Sequence, residues 1–226
     1  MNLNSDFDQR IVQYARDAAW TPSPLPGVDR RMLDRIGGEV ARATSIVRYG
    51  AGSSFDRHVH DGGEEILVLQ GVFSDDRGDY PAGTYLRNPP GTSHAPFSCD
   101  GCTLFVKLWQ FAPDDTEPVH IDTSSATWYP GLVPGLSVMP LHEHDGVSTA
   151  LVRWAPETHF NTHTHPGGEE ILVLDGVFSD ESGDYPAGTW LRSPRGSRHT
   201  PCTGSEGALI YVKVGAIGAR FLTAAA

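Results

Sequence analysis

Eight residues of this chain have the types and the spacing to hold metal ions. His58, His60, Glu64 and His94 form one set, and His163, His165, Glu169 and His199 repeat it 105 residues further on. Three imidazoles and one carboxylate suit Zn, Fe, Mn, Ni or Cu, whereas Mg and Ca prefer shells built from oxygen. A lone His on a strand is ordinarily a hydrogen-bonded core group. Four ligand-type residues at one spacing, written twice, instead point to a divalent metal in each half, two per chain. Neither copy has lost a member, so both sites are expected to be complete.

The elements that position these residues are duplicated with them. Between the first and last His of each set about three quarters of the positions are identical, including Glu-Glu-Ile-Leu-Val-Leu, Gly-Val-Phe-Ser-Asp and Gly-Asp-Tyr-Pro-Ala-Gly-Thr. The likeness extends to Trp20–Gly27 against Trp128–Gly135, Val47–Tyr49 against Val152–Trp154, and Leu104–Lys107 against Ile210–Lys213. Two domains follow, residues 1–111 and 118–226, joined by the polar, Pro-flanked linker 112–117. Apolar or alternating runs such as Ala43–Tyr49, Glu65–Gln70, Thr84–Arg87 and Thr103–Trp109 are separated by Gly, Pro, Asp and Ser, the cadence of a small antiparallel barrel or sandwich. Residues 75–79 and 181–184 fall where a hairpin reverses. Arg10–Ala19 carries a helical period, with Ile11, Val12, Ala15 and Ala18 on one face. Its counterpart Val119–Thr123 looks extended, and the stretch is read as an edge strand.

Side chains two apart on a strand share a face, which sends His58 and His60 into the interior together, and His163 with His165. Gly62-Gly63 permits a bend that brings Glu64 beside them. His94 arrives from another strand, aimed inward by the Pro-Pro-Gly turn before it.

The 226 residues carry a formal net charge of -11 and no cluster of Lys or Arg, which excludes an electrostatic footprint for nucleic acid or an anionic membrane. The N-terminus lacks the basic start and apolar run of a secretory signal, and no apolar stretch reaches the length of a membrane span. A soluble cytoplasmic protein is expected. The three cysteines are too few for a disulfide framework.

Gly52-x5-His58-x-His60-x3-Glu64-x6-Gly71 resembles the complete first cupin motif, and Gly83-x5-Pro89-x-Gly91-x2-His94 the second, with Ser98 in place of the final Asn. In the second copy Glu157 replaces the opening Gly, while His163, His165, Glu169, Gly176, Gly188, Pro194, Gly196 and His199 all fit. The resemblance implies an all-β bicupin: two tandem double-stranded β-helix (jelly-roll) barrels. More narrowly, the repeated strings resemble the cupin domain of ChrR-type anti-sigma factors, which implies a zinc-binding sensory barrel. Related single-domain cupins cleave diketones with iron. ChrR-type proteins also carry a helical zinc domain that grips the sigma factor. Residues 1–45 contain neither His nor Cys, which argues against sigma-factor binding by that route.

Other residues carry weaker signals. Cys99 and Cys102 have the spacing of a redox pair but sit in an expected turn, and Cys202 aligns with Phe97 as a core side chain. His142, Glu143, His144 and His159 have no partners in the first copy and read as an exposed polar loop. Arg48, Arg153, Arg87 and Arg192 either anchor an anionic ligand or pair with the acidic turns. Trp109 and Trp154 line a pocket or pack in the core. Two functional readings remain. One is a regulatory protein with zinc in each barrel. The other is an Fe, Mn or Ni dioxygenase or isomerase acting on a small dicarbonyl-type substrate. A small-molecule ligand in the barrels, a protein partner and a homodimer are all compatible with the sequence.

Overall fold

The computed structural model describes residues 1–14, 17 and 19–217, and among these there is no α-helix. Among the described residues no helix is long and apolar enough to cross a membrane. The strands form two compact units, one from residues 1–5 and 19–126, the other from residues 6–14, 17 and 127–217.

In the first unit the main sheet runs Asn2–Leu3, Val28–Gly37, Ala41–Tyr49, Cys102–Leu108, Glu64–Asp75, Thr84–Asn88, Val119–Asp122. The second repeats the order with Tyr129–Pro130, Leu136–His144, Val147–Trp154, Cys202–Val214, Glu169–Asp180, Trp190–Ser193 and finally Ile11–Gln13. All pairings are antiparallel, as the sequence cadence predicts.

The compact units differ from the repeat boundaries 1–111 and 118–226 in their outer strands. Ile11–Gln13 pairs with the second-half strand, Ile11 opposite Arg192 and Gln13 opposite Trp190. Val119–Asp122 closes the first unit, with Val119 opposite Arg87 and Asp122 opposite Thr84. Each sheet therefore takes its last strand from the other half of the sequence, satisfying an edge that would otherwise stay unpaired. Residues 11–13 adopt the extended form rather than the helix that Ile11 and Val12 also allow. Ala15 and Ala18 lie outside the described residues.

The long strands outrun their sequence signals because both faces of the sheet are buried. On Glu64–Asp75, Ile66 and Val68 join Tyr49, Phe73, Leu104 and Val106 in the interior core, and Ile171, Val173, Trp154 and Phe178 do the same in the second unit. The opposite face holds Glu65, which accepts from the Tyr85 hydroxyl at 3.0 Å and the Arg87 guanidinium at 3.2 Å. Burial on both sides turns a half-buried alternation into a nearly continuous run. The hairpins reverse between Asp75 and Gly78 and between Asp180 and Gly183.

Candidate metal centres

His58 stands directly opposite His94 in a two-stranded ladder formed by His58–Val59 and Ser93–His94. His60 lies just past the strand end, tied by its backbone N–H to Thr92 O at 2.9 Å. The turn that follows needs its glycines. Gly63 has φ +75°, and a β-carbon on Gly62 would lie 2.1 Å from the Trp109 ring. Glu64 then opens the long strand with the parity of Ile66 and Val68, so its carboxylate enters the same interior. The result is a group in which His58, His60, Glu64 and His94 place ligand atoms within 4.8 Å of one another. The Glu64 carboxylate is 3.3 Å from His60 Nε2 and 3.4 Å from His94 Nε2.

The second unit repeats the construction with His163 opposite His199. Its three imidazoles converge, His165 Nε2 to His199 Nε2 at 3.1 Å and His199 Nε2 to His163 Nε2 at 3.3 Å. Glu169 stands beside two of them, 3.4 Å from His165 Nε2 and 3.6 Å from His199 Nε2. The group lying within 4.8 Å is here His163, His165 and His199 alone.

The rings are turned by their other nitrogens. His58 Nδ1 lies 3.0 Å from the Asp56 carbonyl, and His163 Nδ1 lies 2.9 Å from that of Asn161. A carbonyl only accepts, so both rings carry their proton on Nδ1 and keep the Nε2 lone pair free. His60 Nδ1 meets Thr92 Oγ1 at 3.0 Å, and that hydroxyl already donates to Pro89 O at 2.7 Å, which fixes the same tautomer. His94 Nδ1 is 3.1 Å from Asp75 Oδ2. The Nε2 atoms of His60 and His94 are buried without a hydrogen-bond partner, a costly state unless something else fills the role. Two nitrogens about 2.0–2.1 Å from a shared ion stand roughly 3 Å apart, which matches the spacing in the second centre. The residues present fit a divalent transition metal.

Burial sets the protonation of these groups. Desolvation, then the charges of His94 and His58, push His60 down to about 3; desolvation and the other two imidazoles of its centre take His165 to about 4. Burial pushes Glu64 and Glu169 up to about 7. His199 departs from its repeat partner. Desolvation pulls it down, but Asp180 and Glu169 outweigh that and raise it, whereas His94 is lowered.

Each centre borders a cavity, about 270 Å³ in the first unit and about 180 Å³ in the second. Val47, Phe55, Leu104 and Trp109 help line the first, and Val138, Trp154, Phe160 and Leu132 the second. Trp109 holds a left-handed φ of +60°, a conformation costly for a bulky residue; the repeat places Gly215 there, with φ +86°.

Sequence reasoning missed the residues behind the ligands. Asp75 accepts from the Tyr80 hydroxyl at 2.9 Å while holding His94, and Asn88 donates to Glu64 at 3.2 Å. Asp75, Tyr80, Asp180 and Tyr185 all stand in the repeated strings, where the ligand spacing gives them no part. The arginines read as anion anchors or as partners of the acidic turns sit elsewhere. Arg48 pairs with Asp29 at 2.7 Å and stacks on Trp20, and Arg153 stacks on Trp128. Arg87 joins Glu65 and Asp115 in a buried ion group, and Arg192 donates to Asp6 O at 2.9 Å. None of the four lines either cavity. His142 and His144 belong to the strand Leu136–His144, not to a loop, because they pair with Thr149 and Val147 past a bulge at the buried Leu141. Cys99 is exposed, Cys102 buried and Cys202 half-buried, and none forms a disulfide.

No curated protein matches the chain. Among solved structures, protein YlbA from Escherichia coli superposes with a TM-score of 0.70 at 14% identity, covering 92% of each chain. A variant of oxalate decarboxylase OxdC from Bacillus subtilis gives 0.63 at 14% identity over 92% of this chain and 78% of that one. The bacterial pirin YhhW from Escherichia coli, in complex with nickel(II), gives 0.66 at 15% identity over 91% and 99%. At such identities the likeness establishes the fold, a bicupin. A family model for the ChrR cupin-like domain matches twice, over residues 8–112 and 116–218, so the chain belongs to the ChrR cupin-like family and carries its domain in tandem.

Proposed function

We propose that the protein binds one divalent transition metal in each barrel, zinc before Fe, Mn or Ni, and acts as a regulatory sensor of the ChrR cupin type whose signal is a small molecule reaching the metal. The observation that carries this reading is the pair of buried, partnerless Nε2 atoms of His60 and His94, beside Glu64 and a cavity of about 270 Å³. Three imidazoles and a carboxylate are a zinc-competent donor set, and membership in the family supports the regulatory role. An ion that binds only the folded barrel stabilises it, so a molecule that displaces or engages the ion alters fold stability and can be read by a partner protein. The mostly apolar lining favours a small neutral molecule over a carboxylate anion. We place the protein in the cytoplasm, consistent with three unpaired cysteines.

The cavities also favour a second reading. Space beside the ligands suits a mononuclear Fe, Mn or Ni dioxygenase or isomerase for a small dicarbonyl-type substrate, with the ion supplying Lewis-acid chemistry. Metal analysis of protein purified without added metal, followed by oxygen-uptake assays with small diketones, separates the two. Zinc alone, with no turnover after reconstitution with iron, supports the sensor; iron-dependent turnover replaces it with the enzyme. Metal far below one per chain would sink both. Replacing His60 or His165 with Ala is expected to remove one equivalent each.

A further inference from the structure

The two centres share their imidazoles but not what stands behind them. In the first, Asp75 Oδ2 faces His94 Nδ1 at 3.1 Å, and the residues bonded to the Asp75 carboxylate are Tyr80 and the backbone of Arg77. In the second, the equivalent Asp180 Oδ2 stands 3.7 Å from His199 Nδ1, beyond hydrogen-bond range. That oxygen instead accepts from Arg10 at 2.9 Å, and the same Arg10 nitrogen donates to the Tyr185 hydroxyl at 2.7 Å. Arg10 immediately precedes the strand Ile11–Gln13, which docks on Trp190–Ser193. The first unit has no arginine at this position: its closing strand follows Pro118 and sets His120 edge-on against Tyr80 with ring centroids 5.3 Å apart, and the arginine charge acting on His60 and His94 comes from Arg77, whose guanidinium donates to Ser93 O at 2.9 Å. The carboxylates differ in the same sense. Glu64 is held by the amide of Asn88 at 3.2 Å, whereas Ser193 occupies the matching register position opposite Glu169 and has no amide to offer.

We infer that Arg10 is a positioning residue that makes the second centre the weaker metal site, by drawing Asp180 away from His199. A carboxylate behind a ligating imidazole raises its basicity and fixes its orientation, and loss of such a partner costs roughly 10- to 100-fold in metal affinity. Arg10 stretches that contact to 3.7 Å, though Asp180 remains near enough to raise His199, and so loosens the hold on the ring's orientation. The inference rests on the metal-binding reading proposed above.

Zinc affinity, measured by competition with a chromophoric chelator in single-centre variants, tests it. His165→Ala leaves the first centre and His60→Ala the second, and the first is expected to bind zinc at least tenfold more tightly. Adding Arg10→Met should raise the affinity of the second centre about tenfold and leave the first unchanged. Arg10→Lys, which keeps the charge, should recover less. Asp180→Asn offers an independent check, and should cost the second centre less than Asp75→Asn costs the first. Equal affinities, or no gain from Arg10→Met at the second centre, would overturn the inference while the metal reading stands. Absence of zinc from both centres would overturn both.

Discussion

Every imidazole fixed by a carbonyl or a hydroxyl commits Nδ1 to the protein and leaves Nε2 for an ion. The proton displaced when a metal binds must therefore come from elsewhere. With His60 held down to about 3 and His165 to about 4, these rings are already neutral at pH 6. Glu64 and Glu169, raised to about 7 by burial, are still protonated there and must ionise to coordinate. Calorimetry at pH 6 in buffers of different ionisation enthalpy should show release of roughly one proton at the first centre, fading above pH 8, and a larger release at the second because His199 is raised. No proton release at pH 6 would mean the carboxylates are already ionised. The metal-free fold responds to the same groups. The raised Glu contribution is lost as pH climbs from about 4.5 through 7, and the lowered His60 contribution as pH falls from about 6.5 through 3. At this scale the ligand types were legible, because coordination chemistry demands particular residues at particular parity. Asp75, Asn88 and Arg10 were not, because their roles arise only when distant segments meet.

Strands and turns were legible where one face is wet and obscure where neither is. The hairpins at 75–78 and 180–183 announced themselves through Asp and Gly. The long central strands exceeded their apparent limits because Glu65 and Arg87 are buried as an ion pair on the outer face, a burial no local pattern encodes. The motif position held by Gly52, φ +73°, is filled in the second copy by Glu157, which keeps the left-handed backbone at φ +56°. A side chain pays about 1 kcal/mol or more in that region, and Glu157 is exposed, so little packing is at stake. Glu157→Gly should therefore stabilise the protein by about 1 kcal/mol, measured by denaturant unfolding. A loss of stability would show that the Glu157 side chain contributes something its exposure conceals.

Over the whole molecule the duplication was plain in the sequence but the exchange of outer strands was not. Pairing of Ile11–Gln13 with residues 190–192, and of Val119–Asp122 with residues 84–87, ignores the linker that separates the repeats. Cutting the chain between 117 and 118 should accordingly yield two poorly soluble halves, each with a bare sheet edge. Co-expression of the halves should restore solubility, as read by sedimentation. Two separately soluble, metal-binding halves would refute this account.

The same exchange orders events in time. The strand that closes the second barrel leaves the ribosome well over a hundred residues before its site on Trp190–Ser193 is made. Ile11–Gln13 must wait for that site to be made, and a sheet joined across so long a separation closes slowly. Because Arg10 travels with that strand, the second centre is expected to pass through an interval, late in folding, when its ligands are assembled and Asp180 is still free to hold His199.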